Sequence, residues 1–124
     1  MSTHDNDGHT AAVQHATAGA ESWRSAVDNQ QAAAADHSDW YAITGEVVDT
    51  LRSMAVLAAT FASQVATYGR GRVMRDDEPG HDPAERLAIA SSWAAQVQHD
   101  IDHAERTANR FWNEISHIAV EVDR

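Results

Sequence analysis

An all-α fold, an antiparallel three-helix bundle built on one long helical hairpin with heptad-type packing, is predicted by three features of this 124-residue chain. Apolar residues recur at alternating spacings of three and four through Leu87, Ala90, Ala94, Val97, Ile101, Ala104, Ala108, Phe111, Ile115, Ile118 and Val122, the period of a coiled-coil seam. A second seam of that period runs through Trp40, Thr44, Val47, Leu51, Met54, Ala58, Phe61, Val65 and Tyr68. Between the two lies a connection over residues 69–82, glycine-bearing and charged, that ends in a sharp helix-start signal.

In chain order, Met1 to His9 is polar and is read as a disordered tail, with residues 10–124 as a single helical domain. The first helix is expected over about residues 10–35, with Val13, Ala16, Ala20, Trp23, Val27, Gln30 and Ala34 on one stripe. Alanine supplies much of that stripe, and Gly19 weakens the helix by about 1 kcal/mol relative to alanine. It should stop at Asp36-His37-Ser38-Asp39, where short polar side chains compete for backbone hydrogen bonds and can cap the second helix. That second helix is expected over residues 39–68. Tyr41, Ile43, Val48, Ala55, Leu57 and Ala62 widen its apolar face, as befits a helix with more than one neighbour. Gly69 is placed to close it in the left-handed conformation. The third helix opens at Asp82-Pro83-Ala84-Glu85: Asp82 can accept from first-turn amides, Pro83 fits where no amide is needed, and Glu85 can complete a capping box. Its seam continues to Val122, giving residues 83–122.

Antiparallel pairing of the second and third helices puts Phe61 near Ala90, Ala58 near Ala94, Met54 near Val97 and Leu51 near Ile101, large residues facing small or medium ones. Trp40 then falls near Phe111, and Ile115, Ile118 and Val122 run past the end of their partner. An apolar overhang needs a cover. The expectation is a homodimer completing a larger bundle, with Trp112 to Val122 as a contact and with Trp93 and Trp112, which flank the seam, at an interface.

Composition narrows the function. The formal charge is −10, and in the first forty residues Asp5, Asp7, Glu21, Asp28, Asp36 and Asp39 face only Arg24. Phosphate binding relies on clustered cations, so nucleic acid is not expected as a partner. With no cysteine there is no disulfide framework and no thiolate nucleophile. The most apolar run, residues 54–68, is shorter than the roughly 20 residues of a membrane span and includes Thr60, Ser63, Gln64 and Thr67. The start lacks the basic and apolar regions of a signal peptide, so a cytoplasmic chain without a membrane segment is expected.

Four groups of residues could carry chemistry or recognition. His99 and His103 lie four apart on one helical face with Asp100 between them, a spacing that lets two imidazoles reach one metal. His117 is about 21 Å further along the axis and cannot complete that set within one chain. Glu114 and His117 match one Glu-x-x-His of a di-iron bundle, but both lie off the seam and no second copy falls on an expected helix, since Glu78 and His81 sit in the connection. His99, His103, Arg106, Arg110, Asn113 and His117 form a stripe on the solvent side of the third helix that suits an acidic protein surface and gains charge as pH falls. Arg70, Arg72 and Arg75, with Gly69 and Gly71, follow a helix and lack the strand and Gly-Lys-Ser/Thr ending of a phosphate loop, so they read as a connection whose charge Asp76, Asp77 and Glu78 neutralise.

The seams bear no inward acid, base or metal ligand, so a non-catalytic helical protein without a cofactor, acting through protein–protein contact as a homodimer, is expected. A metal-binding bundle using His99 and His103 is an alternative. A small acidic helical hairpin without cysteine also resembles, in shape alone, the WXG100 proteins exported by type VII secretion. The connection here reads Tyr68-Gly69-Arg70-Gly71 where that family has Trp-x-Gly, and no tyrosine follows Tyr68 to supply its Tyr-x-x-x-Asp/Glu signal. The resemblance implies cargo or a partner of a specialised secretion system.

Overall fold

The computed structural model describes residues 8–122, and the expected tail lies largely outside them. Three helices succeed one another: α1 (Ala11–Ala32), α2 (His37–Thr67) and α3 (Pro83–Ile115). The chain divides into a unit that contains α1 and a unit, from His37 onward, that contains α2 and α3.

The helix α1 starts where Thr10 Oγ1 accepts from the Val13 amide at 3.3 Å, an N-cap in extended conformation. It buries no residue, and Trp23, Ala26 and Gln30 alone on it are half-buried. Its alanine-rich stripe offers little apolar area per residue. It ends at Ala32 rather than residue 35, with Ala33 extended as its C-cap.

The hairpin is formed by α2 and α3, packed antiparallel. Its core is thin: among the described residues only Thr44, Val48, Ala55 and Ala58 are buried, all on α2. Small side chains dominate this stripe and let the helix backbones approach. Half-buried Leu51, Ala62 and Val65 continue it, so the inward positions of α2 run 44, 48, 51, 55, 58, 62 and 65. On α3 the less exposed positions include 87, 91, 94, 98, 101, 105, 108, 112 and 115. Both sets are a and d positions of a heptad.

The expected seams are therefore offset. They share the d positions (Leu51 and Ala58; Leu87, Ala94, Ile101) but take the preceding g position where the hairpin takes a, an offset of about 50° around each helix at 3.6 residues per turn. The inward a positions of α3 hold Ser91, Gln98 and Glu105, which an all-apolar criterion passes over. Each is compatible with a helix–helix edge. Ser91 Oγ donates to the Ala62 carbonyl at 2.8 Å, and Glu105 Oε2 accepts from Arg52 Nε at 3.3 Å and from Asn109 Nδ2 at 3.3 Å.

Three further boundaries differ from expectation. The helix α2 begins at His37, two residues early, with Asp39 in its first turn. At its other end Gly69 is not left-handed; positive φ occurs further along the connection, at Gly71 (φ 71°) and Gly80 (φ 87°). Gly69 is instead a close approach, since a Cβ there would lie 2.9 Å from Met74 Cε. The third helix stops at Ile115, seven residues short of Val122. Ser116 Oγ donates to the Asn113 carbonyl at 2.6 Å, and the His117 and Ile118 amides bond three residues back. The β-branched Ile118, Val120 and Val122 then disfavour continuation. At its start α3 matches expectation: Asp82 Oδ1 accepts from the Ala84 amide at 3.0 Å, with Pro83 following.

Candidate functional site

Heptad position determines what each flank of the hairpin presents. In an antiparallel pair the e positions of both helices border one flank and the g positions border the other. The e flank is small and polar. One open groove on it is lined by Arg52 and Ala59 of α2 with Gln98, Asp102 and Glu105 of α3, and the Arg52–Glu105 ion pair crosses it.

The g flank is apolar throughout. On α2 it carries Trp40, Val47, Met54, Phe61 and Tyr68, one every seven residues. On α3 it carries Ala90, Val97, Ala104 and Phe111 at the same interval. Leu57 and Trp93 stand at the adjoining c positions. The large members other than Val47 are 38% to 65% exposed. Scattered exposed apolar residues are ordinary; a row on two adjacent helices, on one side, is a patch of the kind that marks an interaction surface.

The residues expected at an interface divide. Trp93 is exposed on this flank. Trp112 is taken up within the hairpin: its indole N–H donates to the Tyr41 carbonyl at 3.0 Å, its ring lies 5.4 Å from that of Tyr41, and a Cβ at Gly45 would meet it at 3.1 Å. Ile115 is half-buried at the end of α3. Ile118 and Val122 lie beyond the helix and are exposed, so the helical overhang that grouped them with Ile115 is not formed.

The polar candidates are all exposed. His99, His103, Arg106 and Arg110 occupy outward b and f positions of α3, opposite the hairpin contact, and His117 falls in the turn after it. Among the described residues no group of three or more histidine, aspartate or glutamate side chains is placed to hold a metal ion. No buried side-chain nitrogen or oxygen there lacks a hydrogen-bond partner.

In the connection, Asp76 and Glu78 do not neutralise the local arginines, as expected, but reach forward to α3. Arg86 donates to Asp76 through Nε at 2.8 Å and Nη2 at 3.3 Å, and its Nη2 lies 3.5 Å from Glu78 Oε1. The hydrogen bond from Arg86, then that from the Glu78 amide, holds the Asp76 carboxyl at a pKa of about 2. Arg72 turns back over Tyr68, with its guanidinium carbon 4.2 Å from the ring centroid and Nη1 donating to the Tyr68 carbonyl at 2.8 Å. Neither the Asp76–Arg86 clamp nor the arginine stacking carried a recognisable motif; only opposite charges ten residues apart, across a cap, hinted at the first.

No described helix is long and apolar enough to cross a membrane. No protein-family model, curated protein or solved structure matches the chain.

Proposed function

We propose that the protein is a non-catalytic helical interaction module that works through protein–protein contact and self-associates as a homodimer. The observation that carries this reading is the continuous apolar g flank, left open along both helices of the hairpin. Leaving such a surface in water has a cost, at about 25 cal/mol per Å², that a functional contact would offset. The two histidines of α3 stand on its outward face, and the Asp76–Arg86 ion pair fastens a connection. Sedimentation equilibrium of the full chain at tens of micromolar tests the reading. A mass twice that of the chain is expected, and a monomer at that concentration would remove self-association from the proposal.

A further inference from the structure

The geometry points to a specific assembly: two hairpins pack g flank on g flank about a two-fold axis parallel to the helices, so that α2 of each copy lies against α3 of the other and both 69–82 connections sit at one end. This rests on the proposed self-association and adds its surface and orientation.

Three observations select a second copy as the occupant. The first is the offset of the seams. The hairpin contact is centred on a and d positions, whereas the apolar seams run along d and g, unbroken on α3 and interrupted only by Thr44 on α2. A helix in a four-helix bundle has two neighbours, and its apolar seam points between them, toward the bundle axis. Both seams here point to the same side of their hairpin contact, so each helix lacks its second neighbour on that side. One added helical layer of equal width serves both.

The second is size. Trp40, Met54, Leu57, Phe61 and Tyr68 on α2, with Trp93, Val97 and Phe111 on α3, are about half exposed. At roughly 150–250 Å² for a large side chain, they leave on the order of 800 Å² open, which is what each partner contributes to a stable interface of standard size. In α1 only Val13, Trp23 and Val27 are large and apolar, too few to match it.

The third is shape. A two-fold axis along the bundle keeps residues of one level together, and the Arg52–Glu105, Gly45–Trp112 and Ala62–Ser91 contacts set that level, so α2 of one copy brings Met54, Phe61 and Tyr68 nearest Ala104, Val97 and Ala90 of the other. The larger side chains meet the smaller ones in every central layer, and all four neighbouring helix pairs are antiparallel. A perpendicular axis would reverse the levels and set the connections at opposite ends.

The chain has no cysteine, so a spin label on a single Val73→Cys substitution, at a fully exposed site in the connection, reports the orientation directly. With both connections at one end, the two labels in a dimer should lie within about 25 Å, given helix axes 8–10 Å apart. A separation near 45 Å, the length of α2 at 1.5 Å per residue, overturns the proposed axis. Independently, Phe61→Glu should weaken dimerisation about tenfold or more while helical circular dichroism is retained, and Ile118→Glu should leave it unchanged. A dimer that tolerates Phe61→Glu, or one lost on Ile118→Glu, overturns the surface but leaves self-association standing. A full-length monomer overturns both, and slow amide exchange in α1 of that monomer would assign the flank to α1.

Discussion

Asp76 shows how one carboxylate can hold a connection in place. Its Oδ1 accepts from the Glu78 amide at 2.9 Å, closing a local turn, while the two arms of Arg86 tie that turn to the first turns of α3. The carboxylate is almost covered by these donors, at 4% exposure. Because its folded pKa is about 2, below the ordinary value of 3.8, the charged form is favoured by folding. The stabilisation is therefore complete above about pH 4 and is lost as pH falls through about 2. Asp76→Asn should lower the melting temperature by a few degrees at pH 7, and the gap between variant and parent should close between pH 4 and pH 2. A gap that persists at pH 2 would mean that shape, not charge, matters at this position. Exposed pairs such as Arg52–Glu105 should contribute less, since water screens them.

Among the elements, α1 has the fewest covered side chains, with none buried and only Trp23, Ala26 and Gln30 half-buried. Its 22 residues bury no side chain, so its amides should exchange with solvent orders of magnitude faster than those of α2 around Val48 and Ala55. Gly19 has open space where a Cβ would stand, and Gly19→Ala should raise helix content and slow exchange throughout α1, by up to about 1 kcal/mol in local stability. Equal exchange rates in α1 and α2 would show that α1 is held by packing. The existence of all three helices was legible from periodicity, and Asp82-Pro83 marked the start of α3 to the residue. Two things were not legible. The stripe that α2 turns to α3 was hidden because its apolar face is broad enough for two adjacent grooves, and small residues with a good edge partner, such as Ser91, outcompeted larger ones. The end of α3 was hidden because Ile115, Ile118 and Val122 keep the helical spacing while Ser116 and the β-branched residues end the helix itself. The apolar flank was present in the sequence as the seam, but was assigned to the inside of the hairpin.

For the whole molecule, the open flank must be reconciled with a formal charge of −10 on every copy. Two such chains repel, and the repulsion opposes any dimer held by apolar contact. Sodium chloride at 1 M shortens the screening length to about 3 Å, from about 8 Å at physiological strength, and so weakens that repulsion without weakening burial of Phe61 or Met54. Dimerisation through the g flank should therefore tighten several-fold as salt rises from about 0.05 M to about 1 M, read as a falling dissociation constant in sedimentation. A different dimer is conceivable in which His99, His103, Arg106, Arg110 and His117 of one copy meet the acidic first segment of another. That contact would consist of exposed ion pairs and would loosen over the same range of salt, as attraction is screened. The sign of the salt dependence thus separates the apolar flank from the outward stripe as the surface that joins two copies, without any substitution in the chain.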